Sequence, residues 1–168
     1  MLSAMPHTID RATSPADIEA VRSLFVEYHA WLGDLVCSQR LADEIASLPE
    51  PYAASSGALL LARAVGGEPL GCVGVRLHES STAEMKRLYV RPASRGAGLG
   101  RALAERAVSE AASLGYRRLV LTTIPSAMRS AVRMYESLGF QKTDPFRDAG
   151  SLPAGSGIAY MGLDLAVR

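Results

Sequence analysis

Apolar positions recur along this chain in two rhythms, and the switches between them divide it into elements. Thr8 to Ala12 reads as a short first strand. Ser14-Pro15-Ala16-Asp17 then supplies a helix start, with a capping residue, proline at the first helical position and a carboxylate three residues after the cap. Ile18, Val21, Phe25, Tyr28 and Leu32 follow at helical spacing until Gly33. Leu41, Ile45 and Leu48 mark the inward face of a second helix over Gln39 to Leu48, which Pro49 and Pro51 stop. The rhythm then shortens. Ala58 to Val65 and Leu70 to Leu77 predict a hairpin across the Gly66-Gly67 turn, and Glu84 to Val90 predicts the next strand. In that strand, alternation separates Glu84, Lys86 and Leu88 from Met85, Arg87 and Tyr89, unless a bulge shifts it.

The helical period returns at Leu99, Ala102, Leu103, Ala107, Ala111 and Leu114 and stops at Gly115. Arg118 to Thr123, rich in branched residues, predicts a buried strand reached by a crossover and therefore parallel to Glu84 to Val90. Met128, Ala131, Val132, Tyr135 and Leu138 form a last helical stripe before Gly139. Phe140 to Thr143 and Ile158 to Leu165 read as closing strands around a surface loop, Asp144 to Gly157.

Composition narrows the class. With 168 residues, 48% of them hydrophobic, the chain suits one compact domain spanning 1–168. Eighteen basic against seventeen acidic residues leave a net charge of +1, which argues against broad electrostatic binding to nucleic acid or membranes. Cys37 and Cys72 fit neither a disulfide framework nor a metal site, and His7, His29 and His78 lack ligand-like spacing, so no metal is expected. The N-terminus lacks the pattern of a signal peptide and the apolar runs are short, so the expected compartment is the cytoplasm.

The chemistry concentrates between the fourth strand and the third helix. Gly96, Gly98 and Gly100 expose backbone N–H groups at a helix start, with Arg95 and Arg101 beside them, which is a receptor for phosphate oxygens. Gly100 is followed by Arg101 and Ala102, which is not a P-loop ending, and the G-x-G-x-G spacing past mid-chain is not a dinucleotide fingerprint. Read as Arg95-x-x-Gly98-x-Gly100 after a strand ending Leu88-Tyr89-Val90, the stretch resembles the acetyl-coenzyme A signature of the GNAT N-acetyltransferase superfamily. Ala131 to Phe140, a late helix with a tyrosine followed by Leu-Gly-Phe, resembles its second signature. The resemblance covers about Ile9 to Leu165, the first third by element order only.

The resemblance implies an α/β (α+β) fold: a mixed, mostly antiparallel sheet of about seven strands, splayed between strands four and five and flanked by about four helices. It implies acetyl-CoA as cosubstrate, its pantetheine arm in the splay. Leu88, Tyr89 and Val90 would grip that arm, and Arg95, Gly96, Ala97, Gly98, Leu99, Gly100 and Arg101 would hold the pyrophosphate. Tyr135 would be the general acid for the departing thiolate, since a phenol with an ordinary pKa of about 10 holds its proton at neutral pH. Glu84 would take the proton of the amine, against a plainer reading as an ion-pair partner of Lys86 or Arg87. Met128 stands where many members have an asparagine that contacts the coenzyme arm, so that contact is not expected here.

Tyr28, Trp31 and Tyr52, with residues near Phe146, are candidates for the acceptor pocket. The expected reaction is direct transfer of an acetyl group to a primary amine, small molecule or peptide, in a ternary complex. The family also accommodates a homodimer. Two other readings stand beside it: a non-catalytic acyl-CoA binding or sensing domain, and a globular domain whose glycine turn holds a different phosphate ligand.

Overall fold

A computed structural model describes residues 6–33, 38–53, 55–146 and 157–166. Cys37 and most of the loop expected after Asp144 lie outside them. Among the described residues the order is β1 (His7–Arg11), α1 (Pro15–Leu32), α2 (Ser38–Ser47), β2 (Ala58–Ala64), β3 (Pro69–Glu79), β4 (Thr82–Val90), α3 (Leu99–Ser113), β5 (Arg118–Thr123), α4 (Arg129–Ser137), β6 (Gln141–Lys142) and β7 (Ala159–Asp164). No helix among the described residues is long and apolar enough to cross a membrane.

The strands form a seven-stranded sheet in the order β1-β2-β3-β4-β5-β7-β6. Each pair is antiparallel except β4–β5, which follows from the α3 crossover between them. That parallel pair is short. Thr82, Ala83 and Glu84 face Arg118, Leu119 and Val120, and from Met85 onward β4 has no partner on β5. The sheet therefore opens into a seam between its two halves, as the resemblance implies.

Helices cover both faces, which explains why Ala58 to Ala62 is buried throughout. Ala58, Leu60 and Ala62 face the core under α3, with Leu99, Leu103, Ala107 and Leu121, while Leu59 and Leu61 face Val21, Leu24 and Phe25 of α1. Each such leucine, fully buried, contributes about 2 kcal/mol. The Ser14–Asp17 capping box forms at the start of α1: Asp17 N–H donates to Ser14 Oγ at 3.1 Å and Ser14 N–H to Asp17 Oδ2 at 3.2 Å. Arg63 also donates to Asp17, and mainly through that bond holds its carboxyl near pKa 2.

Simple alternation fails in β4. Cys72 faces Tyr89 but Gly74 faces Lys86, so Arg87 and Leu88 of β4 oppose Val73 alone on β3, and Arg87 adopts a left-handed φ of 59°. The bulge carries Arg87 to the α2 side, where it meets Glu44. Leu88 and Val90 instead pack on the α3 core, and Tyr89 packs on the α1 core. The glycine turn passes through a 3-10 turn, Pro92–Ser94, before entering α3.

Candidate active site

The seam widens into a cleft of about 870 Å³ that runs from the α3 N-terminus to α1 and α2. At its α3 end the chain is shaped by glycine. Gly96 and Gly98 both have φ of 82°, a conformation that strains any side chain, and nothing lies within 4 Å of where a Cβ would sit. Gly98 caps α3 with backbone alone, so no side chain among the described residues occupies the first-turn N–H groups. The helix dipole places partial positive charge at the same point.

The flanking arginines are anchored differently. Arg101 donates to Glu105 at 2.9 Å and to Ser137 Oγ at 2.8 Å, which ties α3 to α4 across the cleft mouth. Arg95 donates from Nε to the Val90 carbonyl at 2.9 Å. Its guanidinium stands 5.2 Å from the ring centre of Trp31 and 5.8 Å from that of Tyr89.

Tyr135 lines the middle of the cleft from α4. Its ring packs edge to face on Phe140 at 5.7 Å, and its hydroxyl makes no hydrogen bond among the described residues. Burial, with the nearby Tyr28 phenol second, raises its pKa above the ordinary value, so the proton stays on at neutral pH. Met128 also lines the wall. Its sulfur accepts from Thr123 Oγ1 at 3.6 Å, so it packs against β5 and leaves Ser130 as the hydroxyl lining that turn.

The opposite end is built from side chains of distant segments. Tyr28 stacks on Trp31, ring centres 6.2 Å apart, and leans on Tyr89 at 5.6 Å. Beneath them lie two ion pairs. Arg76 donates from Nε and Nη2 to Glu84 Oε2 at 3.2 and 3.1 Å, across the β3–β4 register that sets these residues opposite. Arg87 donates from Nε to Glu44 Oε2 at 2.8 Å, and the Tyr52 hydroxyl donates to Glu44 Oε1. Burial alone would raise the pKa of Glu44, but Arg87 and Lys86 outweigh it and hold the carboxyl below its ordinary range. Lys86 makes no hydrogen bond or ion pair within 4 Å among the described residues. Burial, and secondarily the charge of Arg87, pull its ammonium down to a pKa of about 7.

The structure gathers Tyr28, Trp31, Leu88, Tyr89, Val90, Arg95, Gly96, Gly98, Leu99, Gly100, Arg101 and Tyr135 around one cleft. Ala97 belongs to the turn but does not line the cleft. Glu84 is fully buried beneath the floor, paired with Arg76 where the sequence offered Lys86 or Arg87. Tyr52 is 2% exposed, set edge-on to Phe25, and reaches the cleft only through Glu44. Gly74 makes room for it, since a Cβ there would come within 2.5 Å of its ring. Phe146 packs between His78 and Tyr160, away from the lining. Cys72 is buried, its thiol pushed up by burial, and does not reach the cleft. No cluster of metal-ligating side chains occurs among the described residues.

Sequence reasoning missed Arg40, Glu44, Arg76 and Lys86 as lining residues, and Arg87 with them. Arg76, the first charged residue after the apolar run Leu70 to Val75, was a usable signal. The bulge that brings Arg87 beside Lys86 left none.

Comparison with known proteins bears on the whole chain. The profile described as the Acetyltransferase (GNAT) family matches residues 19–140. An uncharacterized N-acetyltransferase of Schizosaccharomyces pombe is 37% identical over 140 residues, covering 83% of this chain and 85% of the relative. An IAA acetyltransferase of Azospirillum brasilense is 34% identical over 153 residues, covering 89% and 94%. The solved structure of the yncA protein of Salmonella typhimurium with its cofactor acetyl-CoA superposes with a TM-score of 0.70 at 25% identity, covering 97% of this chain and 96% of that one.

Proposed function

The chain belongs to the GNAT family of acetyltransferases, and on that premise we propose that it moves an acetyl group from acetyl-CoA to a primary amine by direct transfer in a ternary complex. The observation that carries this reading is the seam. It joins an unpaired stretch of β4 backbone to an uncapped helix N-terminus, with an unbonded phenol midway. A long, flexible thioester ending in a pyrophosphate fits that sequence of surfaces.

The residues present fit the cosubstrate. The Leu88 to Val90 stretch has no β5 ladder along the seam, and apart from the Val90 carbonyl that Arg95 engages, its seam-side backbone groups are placed to hold an amide-bearing arm. The α3 first turn, Gly96, Gly98 and Arg101 offer N–H groups and positive charge for a diphosphate. When bound, acetyl-CoA supplies the activated acetyl group. Tyr135 holds a proton at neutral pH and donates it to the sulfur that departs into the same buried space. Burial raises thiol and phenol together, as Cys72 illustrates, so the pKa gap between donor and acceptor is not widened by the site. Glu84 has no surface on the cleft, so its role toward the amine is indirect: it holds the Arg76 guanidinium that lines the floor, and the amine proton leaves to cleft water. Tyr28 and Trp31 form the aromatic wall for the acceptor, and Tyr52 contributes by fixing Glu44.

Titration calorimetry with acetyl-CoA and a free-thiol assay across a panel of amines test the proposal together. Binding with amine-dependent thiol release is the expected result. Binding without release for any amine would contradict the transfer, and no binding at millimolar acetyl-CoA would remove the cosubstrate assignment.

A further inference from the structure

The acceptor end of the cleft holds more positive charge than its own carboxylates balance. Its lining includes Arg40, Arg76, Lys86 and Arg87, and Glu44 is the lining carboxylate among the described residues. Adding the buried Glu84 gives four basic side chains against two carboxylates, a local excess of two whenever Lys86 is protonated. The excess is also assigned to particular residues. Among the described residues Glu84 takes Arg76 and Glu44 takes Arg87, which leaves Lys86 on the floor and Arg40 on the α2 rim.

From this we propose that the acceptor is an amine that also bears a carboxylate, an amino-acid-like molecule whose acid group is held by Lys86 with Arg40 beside it. The inference rests on the acetyl-transfer reading and specifies its substrate class. A half-buried ammonium without a partner is costly to maintain, and a carboxylate seated on it removes that cost. The surroundings suit such a guest: Tyr52, Glu44 and Arg87 form a rigid chain on one side, Arg76 and Glu84 on the other, so Lys86 is presented by a fixed frame. The aromatic pair Tyr28–Trp31 stands over the same floor and offers an apolar face to the rest of the molecule. An acceptor without an acid group would leave the floor charge unanswered, which is how the site would discriminate against simple amines.

The test compares L-amino acids having small, acidic and aromatic side chains with their carboxamides, their decarboxylated amines and matched aminophosphonates. Thiol release gives kcat/KM, and calorimetry on coenzyme-A-loaded protein gives direct binding, so charge selection is read even where no turnover occurs. The expected preference for at least one acid over its amide is about 10- to 100-fold, the range of a charge-assisted hydrogen bond. In Lys86→Met that ratio falls to about one, and Lys86→Arg restores most of it; thermal melts confirm that both variants fold. Amides or simple amines bound as well as acids, or a preference that survives in Lys86→Met, would overturn the inference. A stronger response to aminophosphonates would overturn the carboxylate in favour of a phosphate-like group. A protein that binds no acetyl-CoA fails at the earlier reading, whereas one that acetylates only amines lacking an acid group fails here alone.

Discussion

The two ends of the cleft are built from different materials. At the α3 end the groups facing the seam are main-chain N–H and C=O groups, exposed because Gly96 and Gly98 turn left-handed and because β5 diverges from β4. At the α1–α2 end they are side chains, Arg40, Glu44, Arg76, Lys86 and Arg87, brought together from two strands and a helix. A backbone site is specified by a few glycines at fixed spacing and tolerates change around it. A side-chain site depends on ion pairs that must all be present, and it can be altered one residue at a time. On the proposed reading, the cosubstrate meets the backbone end and the acceptor meets the side-chain end.

The largest effect that separates the ends concerns the residue between them. Tyr135→Phe should lower kcat by about 100-fold while leaving the acetyl-CoA dissociation constant within twofold, because the hydroxyl makes no hydrogen bond that the fold uses. Stopped-flow or steady-state thiol release with calorimetry measures both. Equal losses in turnover and affinity would return Tyr135 to packing.

Next come the ion pairs. Arg87→Met leaves Glu44 without its guanidinium in a largely buried position, and should destabilise the fold by about 3 kcal/mol in urea unfolding. Arg101→Met removes a pair with Glu105 in which both side chains are about half exposed, and should cost under about 1 kcal/mol while weakening acetyl-CoA binding. The reverse order of stabilities would break the contrast between the two ends.

Gly98→Ala falls between these two. Forcing a Cβ to φ of 82° costs about 1 kcal/mol, and the methyl enters the open space where phosphate oxygens would sit. A drop in acetyl-CoA affinity with little loss of stability is expected from calorimetry and melting curves. Unchanged affinity would move the pyrophosphate elsewhere.

The contrast also explains what could be read from the chain. The fold was legible because its signals are local: the Ser14–Asp17 box, the glycine stops after α3 and α4, and the crossover that requires β4 and β5 to be parallel. The turn into α3 was legible because Gly96 and Gly98 stand where the backbone goes left-handed. The charged floor was not. One extra residue in β4 moves Arg87 to the face of Lys86, and no propensity marks that bulge. Glu84 was read with partners on its own strand, but the register opposite Arg76 decides its pairing. Tyr52 was a candidate for the acceptor pocket, because nothing local shows that Gly74 leaves a slot for its ring.

A separate effect is a pH dependence of stability. Lys86 has a folded pKa near 7 against an ordinary 10.5, set by burial and by Arg87 and Glu84 on its strand, Arg76 on β3 and Glu44 on α2. Between those two values the unfolded chain binds the additional proton, so this residue makes stability rise with pH from about 7 to 10. In Lys86→Met that contribution vanishes, and the variant should melt a few degrees higher at pH 7. A lower melting temperature would mean that the ammonium stabilises the fold instead of waiting for a ligand.

The central claim is that one seam serves both substrates. It is tested most directly by thiol release from acetyl-CoA in the presence and absence of amino acids, with the acetylated product identified by mass spectrometry. The account predicts amine-dependent release matched one to one by an N-acetylated product. Tight acetyl-CoA binding with no product from any amine would contradict it.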